Sequence, residues 1–211
     1  MKSFRRLALS AAICVAATFG TVIAIRGFSY VVNIYEDFRG YDYDAKIAKQ
    51  YAWIGPNPGE VIDVTKLQDT DGSTLDQLSN TDLILLTVVD PECAAAKESE
   101  EQMRFLDESL KQKGVDYFLA YFSRKISPGN LSEYTNSLTV DAKPLSWADD
   151  FENVLPSIKA IVYPSHILID SKGRVIKTFP GTSNDRAVRF RMVRQVLKEV
   201  MMHNQKSALQ P

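Results

Sequence analysis

Apolar and polar positions fall into blocks with different periods, and each block predicts an element. Residues 7–25 are uncharged and predominantly apolar, with Lys2, Arg5 and Arg6 before them and Arg26 after. At ~1.5 Å per residue, a helix of that length just crosses a ~30 Å hydrocarbon core. Residues 61–67 alternate, Asp71-Gly72 is a turn pair, and 73–78 follow, a pattern that predicts a hairpin. The run 83–89, rich in β-branched and other apolar residues and ended by Asp90-Pro91, reads as a buried strand. Residues 94–113 then carry helical spacing, Lys113-Gly114 is a stop signal, and 115–122 is a second apolar strand. Strand, helix and strand in that order join in parallel through a right-handed crossover, so the class is α/β.

The rest of the chain is less regular. Residues 127–144 are polar and turn-rich, with a short helical candidate at 131–138, and a second at 146–161 is interrupted by Pro156. Two short strands, 165–169 and 175–179, flank the turn Asp170-Ser171-Lys172-Gly173 and predict an antiparallel pair. A terminal helix is expected over 185–203, with Phe190, Val193, Leu197 and Val200 on one face. Arg186, Arg189, Arg194 and Lys198 lie around the rest of it as a solvated face.

These blocks divide the chain into a short N-terminus (1–6), an anchor (7–25), a juxtamembrane spacer (26–50), a folded domain (51–203) and a tail (204–211). The breaker cluster Pro56-Asn57-Pro58-Gly59 marks the start of the folded part. The spacer is dense in aromatics and acids, which suits an interfacial aromatic belt or a spacer helix that packs rings on the domain. A cleaved signal peptide competes with the anchor, but its apolar region should be only about 7–15 residues and end in a small-x-small site, which Ile23-Ala24-Ile25-Arg26 does not provide. In a bacterial inner membrane, basic residues on the short side put the C-terminal domain outside the cytoplasm, in the periplasm. With 25 Lys and Arg against 26 Asp and Glu, the charge balance gives no argument for a nucleic-acid partner.

The candidate chemistry is a thiol. Cys14 lies in the apolar segment, where lipid-facing packing accounts for it, so the soluble part carries Cys93 alone and forms no internal disulfide. Cys93 comes at the end of a strand–proline-turn–helix sequence. The helix start and Lys97, about one turn along, favour the thiolate, whereas Asp90, Glu92, Glu98 and Glu100 oppose it, and the sign stays open. A dithiol site would have a second Cys at position 96, which is Ala96. His166 reads either as a strand histidine with a local hydrogen bond or as a base approaching the thiol. No phosphate-cradling loop, metal-ligand spacing or nucleophile elbow is present, so neither cofactor nor metal is expected. Cys93 and His166 would be only two ligands, too few for a metal site.

The hairpin, the strand ending in Pro91-Glu92-Cys93 and the run from Val162-Tyr163-Pro164-Ser165 through Ile167-Leu168-Ile169-Asp170-Ser171-Lys172-Gly173-Arg174-Val175 together resemble the thioredoxin-like superfamily. The likeness is greatest to its membrane-anchored thiol:disulfide oxidoreductases and related redoxin domains. It implies a three-layer α/β/α sandwich around a mixed sheet, behind one N-terminal transmembrane helix. It also implies that Pro164 is a cis-proline facing Cys93, with Tyr163 and Pro91 contacting an extended peptide or mixed-disulfide partner. The chain departs from that pattern at Ala96, which lacks the resolving thiol, and at Glu92, where a tryptophan is usual. The peroxiredoxin pattern fails at Asp90 and Leu86. Two functions follow as expectations. One is monothiol redox chemistry through a mixed disulfide or sulfenic acid, with Lys97 and His166 as modulators. The other is a redox-inactive module binding a thiol or disulfide protein or peptide partner.

Overall fold

The computed structural model describes residues 55–149, 153, 158, 164–179 and 186–208. The anchor at 7–25, the spacer at 26–50 and Tyr163 lie outside the described residues. Among the described residues no helix is long and apolar enough to cross a membrane.

Six strands, β1 (Leu67–Gln68), β2 (Leu83–Val89), β3 (Asp116–Tyr121), β4 (Lys143–Trp147), β5 (Ser165–Asp170) and β6 (Val175–Phe179), form one sheet among the described residues. Their order is β1-β4-β3-β2-β5-β6. β2 runs parallel to β3 and antiparallel to β5, β3 is parallel to β4, and β1 and β6 are antiparallel edges. Every residue of β2 is buried, as expected for a strand with neighbours on both sides and cover on both faces.

Strand alternation sorts the core into two layers. On one face Ile84, Leu86, Val88, Phe118, Ala120, Ile167 and Ile169 pack with Leu67, Trp147 and Leu75, the last from the short helix α1 (Leu75–Leu78). The opposite face meets α3 (Glu100–Lys111), which follows the one-turn helix α2 (Ala94–Glu98), and α4 (Arg186–Ala208). Met103, Leu106 and Leu110 of α3 and Val193, Val196 and Val200 of α4 are buried. The two helices meet through Phe105 and Phe190, an edge-to-face pair 5.6 Å apart.

The irregular elements differ from the sequence expectation, each for a local reason. In place of a hairpin over 61–78, Asp63 caps a 3-10 turn at Val64–Lys66, its Oδ1 accepting from the Thr65 N–H at 3.1 Å. The strand that follows is two residues long. The expected turn forms, with Asp69 Oδ1 accepting from the N–H groups of Asp71 and Ser73, both at 2.9 Å. Thr74 then makes one bridge to Gln68, and Gln77 Oε1 accepts its N–H at 3.1 Å, which starts α1 instead of a strand.

The helix expected over 94–113 is broken at Ser99, whose hydroxyl donates back to the Ala95 carbonyl at 2.8 Å. Ser146, expected to open a helix, sits in β4, a strand masked in the sequence by Lys143-Pro144. Pro144 is tolerated because β1 pairs only with Ser146 and Trp147 and leaves that stretch of edge uncovered. The candidate at 131–138 is two 3-10 turns, Pro128–Glu133 and Thr135–Ser137. α4 runs on to Ala208, past residue 203.

Residues 55–62 lie along the outer edge of β6. Gly59 N–H donates to the Val175 carbonyl at 2.8 Å, Val175 N–H to Glu60 at 2.8 Å, and Ile62 N–H to Gly173 at 2.9 Å. Thr178 Oγ1 donates to the Pro56 carbonyl at 2.7 Å. This strap occupies an edge that would otherwise offer free backbone groups to another chain. The β5–β6 turn beneath it needs glycine at position 173, where φ is +77° and an added Cβ would lie 2.1 Å from the Ile62 carbonyl oxygen. Gly173→Ala should therefore destabilise the domain by about 2 kcal/mol or more, read as a lower urea midpoint at unchanged slope.

Candidate functional site

The thiol's position follows from how β2 ends. Pro91 has no N–H to offer a neighbouring strand, and it is buried at the point where the ladder stops. Asp90 shapes the turn: its Oδ1 accepts from the Glu92 N–H at 3.0 Å and its carbonyl from the Cys93 N–H at 3.0 Å. Cys93 is the N-cap residue of α2, with φ −77° and ψ 123°, and its thiol is free and partly exposed. The Cys93 carbonyl accepts from the Ala96 N–H at 3.0 Å, and Ala96 is fully buried beneath the turn.

Because α2 is a single turn, the thiol does not sit at the end of the long helix that the spacing over 94–113 predicts. The helix contribution to its field is correspondingly reduced.

Two further strands converge at this end of the sheet. The register pairs Val88 with Ser165, so the buried Pro164 comes immediately before the point where β5 meets the end of β2. β3 ends alongside, with the Phe122 N–H donating to the Val89 carbonyl at 2.9 Å. Its following loop returns Lys125, whose ammonium donates to both carboxylate oxygens of Glu92 at 2.9 and 3.0 Å. That carboxylate raises the Lys125 pKa above its ordinary value. The pair is exposed and links the loops after β2 and β3 next to the thiol. Lys97 is exposed on α2. The structure thus gathers Pro91, Cys93 and Pro164 at one end of the sheet, the carboxyl ends of the parallel strands β2 and β3, where α/β sheets commonly bind ligands.

His166 is buried two residues into β5. Its Nδ1 lies 2.7 Å from Thr87 Oγ1 and its Nε2 lies 3.3 Å from the amide nitrogen of Gln102 on α3. The same amide nitrogen is 3.6 Å from Met192 Sδ on α4, an acceptor only, which fixes the amide orientation. His166 Nε2 therefore accepts, and Nδ1–H donates to Thr87. Burial pushes the His166 pKa down to about 3 from its ordinary 6.5, so the ring is neutral at physiological pH with both nitrogens engaged.

Sequence reading singled out neither Thr87 nor Gln102. The signal was present, since Thr87 is the one polar residue in the 83–89 run and Gln102 falls next to Met103 on the buried stripe of its helix.

No protein-family model and no curated protein matches the chain. Solved structures match it in fold. A protein provisionally assigned as thiol:disulfide interchange protein DsbE from Chlorobium tepidum superposes with a TM-score of 0.53 at 16% identity, over 69% of this chain and 99% of that one. A thiol:disulfide interchange protein from Bacteroides sp. gives 0.52 at 17% identity, over 69% and 91%. The thioredoxin domain of a thiol-disulfide oxidoreductase from Bacteroides vulgatus gives 0.50 at 16% identity, over 68% and 98%. At such identities the likeness is one of fold: the domain has the thioredoxin-like α/β fold around a mixed sheet.

The buried histidine has a measurable consequence. Below pH 6.5 the unfolded chain binds a proton at His166 that the folded chain refuses until about pH 3. The stability it contributes is thus complete above 6.5 and is lost as pH falls, by at most about 1.4 kcal/mol per pH unit. Urea midpoints of the parent should drop more steeply between pH 6.5 and 4 than those of His166→Leu, which lacks the titrating group. Equal slopes would show that the ring is protonated in the folded state.

Proposed function

We propose that the protein is a membrane-tethered, extracytoplasmic thioredoxin-fold protein in which Cys93 acts as a single nucleophile in thiol–disulfide exchange. The observation that carries this reading is a free, partly exposed thiol in the turn after the central strand, at the same end of the sheet as the buried proline that precedes β5. The tether is assigned to residues 7–25, with the basic residues before it on the cytoplasmic side.

In this reaction the Cys93 thiolate attacks one sulfur of a partner disulfide, forming a Cys93–partner mixed disulfide and releasing the other sulfur as a thiolate. Position 96 holds a methyl group, so resolution falls to a second thiol from outside. That thiol attacks the partner sulfur, regenerates Cys93 and leaves with the partner as a new disulfide. The protein gains and loses no electrons over the cycle; it moves a sulfur–sulfur bond between thiols. With a hydroperoxide as oxidant, the same thiolate would attack one peroxide oxygen, breaking the O–O bond and releasing the other oxygen as an alcohol or water, to become a sulfenic acid. One external thiol would condense with it to a mixed disulfide and water, and a second would free Cys93 as the two external thiols leave as a disulfide. Tyr163 is assigned to the partner-facing surface, which the buried Pro91 and Pro164 would shape from beneath, and the partner is a protein or peptide carrying a thiol or disulfide.

Two experiments on the full chain test this, both in a Cys14→Ser background so that Cys93 is the sole native thiol. Alkylation at neutral pH should be faster than that of free cysteine, and glutathione disulfide should yield a one-to-one mixed disulfide that excess thiol reverses. An inert thiol would leave the redox-inactive partner-binding module as the surviving reading. Ala96→Cys should form an internal disulfide under mild oxidation, detected as the loss of both titratable thiols. Persistence of two free thiols would mean that the turn lacks dithiol-site geometry.

A further inference from the structure

Among the described residues, the layer between the sheet and the pair α3 and α4 contains a buried polar chain that runs through the elements that carry the site. Thr87 and His166 stand directly opposite each other in the β2–β5 register, and Gln102 reaches their layer from α3. All three side chains are fully buried.

An all-apolar trio would fill this layer without the desolvation cost of an imidazole, an amide and a hydroxyl, so packing alone does not call for them. The Gln102 Oε1 atom has no hydrogen-bond partner among the described residues, which adds to that cost. Unlike apolar contacts, hydrogen bonds fix direction: Oγ1 to Nδ1 at 2.7 Å and Nε2 to Nε2 at 3.3 Å hold three elements at set distances. The places they join are informative. Thr87 lies six residues before Cys93, Gln102 nine residues after it, and His166 two residues after Pro164. Both chain segments that lead into and out of the thiol turn are thereby tied to the strand that begins at Pro164.

We propose that His166 is a positioning residue of the Cys93 site: by joining Thr87 of β2 to Gln102 of α3, it sets where Pro164 and the start of β5 stand against the turn that bears the thiol. The proposal rests on the reading of Cys93 as the working group, but its geometry can be tested without thiol chemistry. A ring that is neutral and has both nitrogens engaged serves as a fixed strut and not as a proton acceptor for the thiol.

The test is hydrogen exchange on the full chain in three variants. Thr87→Val removes the bond to Nδ1 together with the hydroxyl's interaction with Tyr117, and Gln102→Leu removes the bond to Nε2 together with the one to Met192 Sδ, both with little change in volume. Leu168→Ala opens a cavity in the same layer with no hydrogen bond lost. In the two polar variants, amide protection in 90–93 and 165–166 should fall by about tenfold, while 83–85 and 168–170 keep theirs. Leu168→Ala should loosen the layer without singling out the thiol end. The Cys93 alkylation rate should change by about threefold or more in the polar variants and follow global stability in the apolar one.

Protection that is unaltered in both polar variants, or lost evenly as in Leu168→Ala, would overturn the proposal. Selective loss of protection around an inert Cys93 would uphold the strut and remove the redox reading. A reactive Cys93 with even loss would do the reverse.

Discussion

The site depends on the confinement of β2. Seven consecutive residues are buried, with β3 on one side, β5 on the other, and side chains packed above and below. A one-residue slip of such a strand would exchange the two faces and drive Thr87 into the layer where Leu86 and Val88 pack among apolar side chains, so its register is fixed by the core itself. Fixing the register fixes the place where the strand stops. Pro91 ends it, Asp90 folds the turn, and Cys93 emerges at the one end of the sheet where two parallel strands finish and an antiparallel one begins.

How much of this could be read from the residues depended on whether the determining interaction was local. β2, β5 and β6 carried their own signals, an apolar run and a turn with Asp170 and Gly173, and these signals agree with the tertiary contacts. The strands at the far edge did not. β1 and β4 are short, one is preceded by a capping aspartate and the other contains a proline, and they are strands because they pair across 80 residues of chain, Leu67 against Trp147. Asp63, Thr74 and Ser99 each diverted an apolar pattern through local side-chain or backbone hydrogen bonds, a competition that periodicity does not register. At the site, the proline turn and the thiol were legible from their spacing. The role of His166 was not, because its partners are 79 and 64 residues away in the chain.

Ala96 gives the site its chemical limits. In the first turn of α2 its methyl group is fully enclosed, so no solvent or partner group reaches the space where a resolving thiol would act. Under the proposed monothiol reading, a mixed disulfide at Cys93 would find no second thiol at position 96, and its release would fall to thiols from outside. The neighbouring Glu92 and Lys125 pair is exposed beside Cys93.

The strap over β6 has a mechanical consequence. Residues 55–62 are the first described stretch of the chain, and they hold to the domain through backbone hydrogen bonds to Gly173 and Val175 and a side-chain bond from Thr178. A force applied at residue 55 meets this edge, and β6 is paired in turn with β5, whose first residue follows Pro164. From residue 55, hydrogen bonds thus lead to the proline side of the site through the β5–β6 hairpin. A pull that frays the strap would loosen the proline side of the site while leaving the strand that carries the cysteine seated in its core.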